Sequence, residues 1–174
     1  NLNGEAVIAD SITRRMIRGE ALAIRAFLHF DLLRGWGPAN YAGNESVREM
    51  KCIPYRTVAD HSKQPQLPAS EVLANIISDL KEARECLDYE KELDLSDRIE
   101  GRHMRFNYHA INALLARVYN YAGEKDSAAL HALKVIEECG LALESGNDND
   151  PILSKEVIVG LNMHELEDNL SDYF

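Results

Sequence analysis

Three aromatic residues and one asparagine stand in a stretch of the chain that is rich in glycine and proline. Trp36, Tyr41 and Tyr55 supply flat rings, and Asn40 supplies an amide next to one of them. An exposed aromatic ring offers a large apolar face with a polar edge, which suits contact with a ligand. These four residues are therefore the candidate ligand-binding residues. The alternative for Trp36 is that its ring folds back over the end of the preceding helix.

Residues that could catalyse a reaction or bind a metal ion form no recognisable motif. The six histidines include no HExxH pattern and no pair spaced four apart, and the stretch 147–151 lacks the glycine and glutamate of a calcium loop. We interpret 147–151 as a turn. No glycine-rich phosphate motif and no GxSxG motif occurs. The sequence thus predicts no catalytic residue, no metal site and no cofactor, and a protein that is not an enzyme.

The charge balance of the chain argues against nucleic acid as a partner. The 174 residues include 29 acidic and 19 basic ones, giving a formal net charge of −10, whereas phosphate binding needs clustered lysine and arginine. Two arginine clusters lie among acidic residues and are predicted to form solvated or salt-bridged faces: Arg14, Arg15, Arg18 and Arg25, and Arg98, Arg102 and Arg105. No apolar run of about 20 residues is present, so no membrane span is predicted.

The three cysteines do not predict a disulfide framework. Their number is odd and no CxxC pair occurs. Cys86 and Cys139 fall in predicted helices, where each is expected to pack as a small apolar residue, and Cys52 is expected to be a loop thiol.

The candidate residues must be positioned by a chain whose hydrophobic periodicity predicts four helices. These are 10–34, 70–88 with Ser70 as N-cap, 107–122, and 125–139. The first is apolar over most of its circumference, which predicts contacts on two or more sides. The second is amphipathic, with Asp79 assigned to its polar face. The third and fourth are separated by so short a connection that they must run antiparallel.

The segments between these helices differ in composition. The connection 35–68 contains several glycines and prolines, and a loop of this length is often functional. Within it, KCIPYRTV (51–58) predicts a short extended piece. The charge-rich stretch 89–105 is interpreted as a solvated loop, and EVIVGLN (156–162) has the composition of a strand.

The third and fourth helices carry a degenerate tetratricopeptide pattern. The matching positions are Leu115, Ala116, Tyr119, Gly123 and Ala128. Asn112 stands where the repeat has tryptophan, and Ala132 replaces a large aromatic residue. The prediction is a single all-α domain over residues 1–174, built of tetratricopeptide-like stacked helix pairs with long irregular loops and a short strand near its C-terminus.

The segment GEALAIRAFLHFDLLRGWGP (19–38) resembles the signature helix of the SusD-like (RagB/SusD) outer-membrane nutrient-binding lipoproteins of Bacteroidetes. The segments that follow resemble that family in the same order. They are IPY in the long loop, ASEVLANIISDLKEARECL, NYHAINALLARVYNYAGEKDSAALHALKVIE, and KEVIVGLNMHE. The resemblance covers about residues 8 to 165.

The resemblance implies a lipid-anchored protein at the outer face of the outer membrane. Such a protein binds a glycan and partners a SusC-like TonB-dependent transporter in nutrient uptake, with its helical repeats as scaffold. It carries over no particular ligand residue to Trp36, Asn40, Tyr41 or Tyr55. Family members are considerably longer, and Asn1 is not an initiator Met, so the chain is expected to be a fragment. We expect it to lack the lipid-anchor region and most of the C-terminal half.

Two other functions fit a helical domain of this kind. One is a tetratricopeptide adaptor that binds a peptide in a concave groove, but the long interruption between the first two helices does not suit regular repeats of about 34 residues. The other is a structural domain of a larger enzyme, whose catalytic motif would lie outside this sequence.

Overall fold

The computed structural model describes residues 10–95, 101–143 and 153–160. Within these ranges the chain forms four α-helices and a two-stranded antiparallel sheet. The helices are α1 (Ser11–Trp36), α2 (Ala69–Cys86), α3 (Tyr108–Ala122) and α4 (Lys125–Glu138), and the strands are β1 (Lys51–Ile53) and β2 (Leu67–Pro68). The predicted all-α architecture is confirmed, and so is the extended piece in the long connection. No described helix is long and apolar enough to cross a membrane.

Two ion pairs show the relative direction of α1 and α2. Arg18 donates to the Glu82 carboxylate at 2.8 Å, and Arg25, further along α1, donates to Asp79, which comes earlier in α2. Residue numbers rise along one helix as they fall along the other, so the two helices are antiparallel. The salt-bridged face predicted for the first arginine cluster is thereby confirmed at these two positions.

The ends of α1 follow from local backbone chemistry. The Asp10 side chain accepts the backbone N–H of Thr13 at 2.8 Å, as an N-cap does. At the other end the N–H of Gly37 donates to the carbonyl of Leu33 at 2.8 Å. A Cβ at Gly37 would lie 2.3 Å from that carbonyl oxygen, so this helix end requires glycine.

The expectation that α1 contacts neighbours on two or more sides agrees with its contacts to α2, α3 and β1, but one apolar stripe of the helix is exposed. Its core side is buried, with Ala23, Ala26 and Leu33 at 0% exposure. A second stripe of the helix is exposed in the part of the chain that the structure describes. The exposed apolar residues of this stripe are Ile24, Leu28, Leu32 and Trp36.

α2 begins without the side-chain cap that the sequence predicts. The helix begins at Ala69, after Pro68, and the Ser70 hydroxyl donates instead to the Glu49 carboxylate at 2.9 Å. The backbone N–H groups of Ala69 and Ser70 donate to the carbonyls of Met50 and Arg48. Because the preceding loop satisfies these first N–H groups, no side-chain cap is needed.

α3 and α4 form the tetratricopeptide-like pair. Gly123 ends α3 with φ = 85° and a Cβ there would lie 3.0 Å from the Cβ of Ala42. The Tyr119 ring stacks on His131 of α4, with centroids 5.5 Å apart and planes inclined by 9°. Asn112 Oδ1 lies 3.0 Å from His131 Nδ1. The asparagine that departs from the repeat pattern thus links the two helices by a hydrogen bond.

The charge-rich stretch after α2 is a solvated loop only in part, because Lys91, Glu92 and Asp94 are exposed whereas Arg102 is not. Arg102 donates to Glu20 of α1 at 3.0 Å and to Glu90 at 2.7 Å, and its side chain is only 12% exposed. Arg105 donates to the other oxygen of Glu20 at 2.6 Å. Glu20, Glu90 and Arg102 are largely buried because each faces an opposite charge at hydrogen-bonding distance, whereas the Arg105 side chain stays 49% exposed. Arg98 lies outside the described residues.

The strand predicted near the C-terminus is absent from residues 153–160. The chain there forms a short 3₁₀ turn (Ser154–Glu156), after which the Ile158 carbonyl accepts from Asn107 Nδ2 at 3.0 Å and the Gly160 N–H donates to the His103 carbonyl at 2.8 Å. The backbone of this segment therefore bonds to the Asn107 side chain and the His103 carbonyl and not to a neighbouring strand. Residues 161 and 162 of the predicted strand, and the predicted turn at 147–151, lie outside the described residues.

The three cysteines are free. Cys139 is buried at the end of α4 and packs with Leu95 and Val135, as a small apolar residue does. Cys86 is partly buried at the end of α2, and burial raises the pKa of its thiol. Cys52 lies in β1 and not in a loop, because its backbone belongs to the short sheet.

Candidate ligand-binding site

Trp36 is the most exposed aromatic residue among the four candidates. It is the last residue of α1, and 72% of its surface is accessible to solvent. The alternative in which its ring folds back over the helix end is wrong, because the chain turns away at Gly37 and leaves the ring in solvent. An indole ring held at a helix end offers a flat apolar face whose position is fixed by the helix backbone.

Asn40 follows Trp36 in the turn that leaves α1. It adopts a left-handed conformation with φ = 57°, which asparagine tolerates better than most residues. Its carbonyl accepts the backbone N–H of Asn44 at 3.1 Å. A Cβ at Gly43 would lie 2.5 Å from Asn40 Oδ1, so the Asn40 amide packs against the backbone of this glycine. Asn40 is exposed and is the candidate amide closest in sequence to the Trp36 ring.

Tyr41 is a core residue and not an exposed loop ring. It is 7% exposed, and its ring stacks on Tyr121 of α3 with centroids 5.4 Å apart. The Arg48 guanidinium lies 5.4 Å from the ring centroid. Burial raises the pKa of the Tyr41 hydroxyl. Because neighbours occupy its ring, the expectation of an exposed platform at this position is wrong.

Tyr55 is also buried, at 9% exposure. Its hydroxyl donates to Asp79 Oδ2 at 2.6 Å, and its ring lies over His29 with centroids 4.1 Å apart. Burial first, and then the bond to Asp79, raise the pKa of the hydroxyl well above its usual range. The prediction of an exposed loop tyrosine is wrong here too, because α1 and α2 supply partners for both its ring and its hydroxyl.

The polar cluster around Tyr55 contains residues that the sequence analysis missed. Asp79 is 8% exposed and accepts two hydrogen bonds from Arg25, so its assignment to the polar face of α2 is wrong. His29 places Nδ1 2.8 Å from the Arg25 carbonyl, and its Nε2 accepts the backbone N–H of Arg56 at 3.0 Å. A signal existed, because Asp79 falls on the core stripe that runs through Ile76 and Ala83 of α2.

The structure therefore separates the four candidates into two groups. Trp36 and Asn40 lie on the surface where α1 ends, and Tyr41 and Tyr55 lie in the core and fasten the long connection to the helices. The surface pair suits a ligand with an apolar face and hydroxyl groups. Among the described residues, no group of three His, Cys, Asp or Glu side chains could hold a metal ion.

The chain matches a protein-family model and a known relative. Residues 2–120 match the model of the SusD-like family described as "Starch-binding associating with outer membrane". The chain is 28% identical over 141 residues to the SusD-like protein P38 of Formosa agariphila. This alignment covers 80% of the chain and 24% of that relative.

Solved structures show the same fold. A SusD superfamily protein of Bacteroides thetaiotaomicron is 25% identical with a TM-score of 0.67, and the match covers 84% of the chain and 30% of that protein. A SusD-like carbohydrate-binding protein of Bacteroides vulgatus is 24% identical with a TM-score of 0.67, covering 80% of the chain and 28% of that protein. The chain thus spans less than a third of the length of these relatives.

Proposed function

Because the chain belongs to the SusD-like family, we propose that it forms part of a cell-surface protein that binds a glycan and delivers it to a SusC-like TonB-dependent transporter. The observation that carries this proposal is the match of residues 2–120 to a family described as starch-binding and associated with the outer membrane. The lipid anchor that would hold the protein at the membrane is part of the proposal, and so is the absence of catalysis.

Trp36 and Asn40 are the residues that we assign to the glycan in this part of the protein. The exposed indole would stack on the apolar face of a sugar ring, and the Asn40 amide would bond to hydroxyl groups. Tyr41 and Tyr55 have no part in the proposed contact, because their rings and the Tyr55 hydroxyl already have partners in the core.

The adaptor hypothesis receives less support from the fold. Its groove requires regular repeats, yet more than thirty residues separate α1 from α2, whereas two separate α3 from α4. The two helix pairs are thus unlike each other in their connections.

Glycan binding is tested by titrating the full-length protein with neutral oligosaccharides, starch-derived ones among them, in a calorimeter. Replacing Trp36 with alanine is expected to weaken binding at least about tenfold, as loss of an aromatic anchor does. Leu32→Ala is the matched control, since Leu32 lies on the same exposed stripe but has no ring. Equal affinities of the two variants would exclude Trp36 as a contact, and no binding to any sugar would contradict the glycan proposal.

The transporter partnership is tested on the full-length protein in native outer membranes. Purification through a tag on the full-length protein is expected to recover a TonB-dependent barrel in near-equal amount. Recovery from the cytoplasm without such a barrel would contradict the partnership and favour the adaptor.

A further inference from the structure

A cavity lies between the α1–α2 pair and the α3–α4 pair. Its volume is about 610 Å³, which falls within the range of small-molecule sites. The residues that line it come from both pairs and are mostly polar: Arg15, Arg84, Glu85, Asp88, Tyr108, Leu130, His131 and Lys134. We call this cavity the inter-pair cleft. Arg15 and Trp36 are 21 positions apart on α1, which separates the cleft from Trp36 by about 30 Å.

His131 lines the inter-pair cleft and is 8% exposed. Asn112 Nδ2 donates to the Tyr108 carbonyl, so its Oδ1 is the atom that accepts from His131 Nδ1 at 3.0 Å. The neutral ring therefore carries its proton on Nδ1 and a lone pair on Nε2. Stacking on Tyr119 fixes the plane of the ring. Burial, together with nearby cations, holds the pKa of His131 below its ordinary value, which keeps this tautomer neutral.

The charges that act on His131 are cationic, although the chain as a whole is acidic. They belong to Arg84, Lys134 and Lys81. Arg84 forms no ion pair with any residue that the structure describes. Lys134 pairs with Glu138 at 3.1 Å and lies 5.7 Å from the centroid of the Tyr108 ring. A hydrogen-bond acceptor beside these cations is suited to a ligand that carries both a hydroxyl and a negative charge.

The acidic residues of the cleft restrict where such a charge would lie. Glu85 and Asp88 belong to the end of α2 and the turn after it, and Arg15 donates to the Glu85 carbonyl at 2.9 Å. Like charges repel, so an anionic group would lie away from these carboxylates. Arg84, His131 and Lys134 line the same cleft as these two carboxylates.

We propose that the inter-pair cleft binds an acidic sugar residue, a uronate, whose carboxylate contacts Arg84 and Lys134 and whose hydroxyl donates to His131 Nε2. This inference rests on the proposed glycan-binding function and adds a subsite to it. A uronate carries a carboxylate for the two cations and a hydroxyl for His131 Nε2 on the same sugar ring.

The test compares short oligogalacturonates with neutral galacto-oligosaccharides of the same length, titrated into the full-length protein at low ionic strength. The acidic sugar is expected to bind at least about tenfold more tightly than the neutral one. Arg84→Gln is expected to remove most of this preference while affinity for the neutral sugar stays unchanged. Arg117→Gln removes the same charge from an exposed position of α3 outside the cleft, and is expected to preserve the preference.

A nuclear magnetic resonance titration adds a readout at the site itself. The ring signals of His131 are expected to shift with oligogalacturonate and to stay in place with the neutral sugar. Equal affinity for both sugars, or an equal effect of Arg84→Gln and Arg117→Gln, would overturn the cleft proposal and leave glycan binding at Trp36 intact. Failure of every sugar, neutral or acidic, to bind would overturn both proposals.

Discussion

Asp79 of α2 accepts two hydrogen bonds from the guanidinium of Arg25 in α1, at 2.6 and 2.7 Å, although 54 residues separate the two in sequence. The Tyr55 hydroxyl donates to the same carboxylate. A single side chain thus joins both helices of the first pair and the loop that connects them. A buried hydrogen-bond network of this kind stabilises the fold only while all its side chains are present, because removing one leaves another polar group without its partner.

Replacing Asp79 with asparagine is expected to lower the free energy of unfolding by about 2 to 4 kcal/mol, because it leaves the partly buried Arg25 without its counter-charge. Asp31→Asn is the matched control. Asp31 pairs with Arg34 at 3.0 Å at the surface, as the spacing of the two residues predicts, and losing an exposed pair changes stability by about 0 to 1 kcal/mol. Urea denaturation measures both. Equal effects would show that Asp79 contributes no more than a surface charge.

Phe30→Ala is expected to destabilise the fold by about 3 to 5 kcal/mol, as deletion of a buried aromatic side chain does. Phe30 is 2% exposed and meets the Tyr121 ring edge-on, with centroids 5.6 Å apart. Leu28→Ala, on the exposed stripe of the same helix, is expected to change stability by less than about 0.5 kcal/mol. A thermal melt unchanged by Phe30→Ala would contradict the burial of this helix face.

Two glycine variants separate strain from helix propensity. Gly123→Ala is expected to destabilise by about 1 to 2 kcal/mol, because φ is 85° and the new Cβ would lie 3.0 Å from that of Ala42. Gly35→Ala meets nothing within 4 Å and lies in the last turn of α1, so it is expected to be neutral or to stabilise by up to about 1 kcal/mol. Chemical denaturation distinguishes the two, and a neutral Gly123→Ala would contradict the left-handed turn.

Stability is expected to fall as the pH drops below about 6.5. Burial holds the pKa of both His109 and His131 below the ordinary value of 6.5. Above that value both are neutral in the folded and unfolded chain, and their contribution is constant. Below it the unfolded chain binds protons that the folded chain does not, so the free energy of unfolding decreases.

The variant that checks this pH dependence is His109→Gln. His109 Nε2 lies 2.8 Å from the Leu93 carbonyl, and its Nδ1 has no hydrogen-bond partner within the described residues. A glutamine amide can replace the Nε2 donor but does not titrate. Urea midpoints measured on both sides of pH 6.5 are expected to differ less for this variant than for the unaltered chain. His61→Gln, in the exposed loop, is expected to leave the difference unchanged.

The helices could be predicted because their determinants are local. Periodicity locates all four, Gly37 and Gly123 end two of them, and a two-residue connection forces α3 and α4 antiparallel. The buried charges could not be predicted in the same way. Glu20 pairs with Arg102, which is 82 residues away. The periodicity of either segment alone does not predict a contact between them. Asp79 has the spacing of a core residue, but its side chain is of a type that is usually exposed. It is buried because Arg25 of α1 supplies the opposite charge.

The candidate site was predictable only in part. Trp36 and Asn40 are exposed as a loop composition suggests, but Tyr41 and Tyr55 are not. Composition describes a segment as a whole, whereas the burial of one ring depends on whether it packs against residues that are distant in sequence. Tyr121 of α3 receives Tyr41, and His29 of α1 receives Tyr55.

The long connection between α1 and α2 is held at both of its ends, by the β1–β2 pairing near α2 and by Tyr41 and Tyr55 against the helices. Loop-closure entropy grows only slowly, by about 0.6 kcal/mol for each doubling of loop length. The exposed middle of the connection, residues 57–66, can therefore gain or lose residues at little thermodynamic expense while the helix pair stays assembled. Related chains could diversify this surface by insertion and deletion and keep one scaffold.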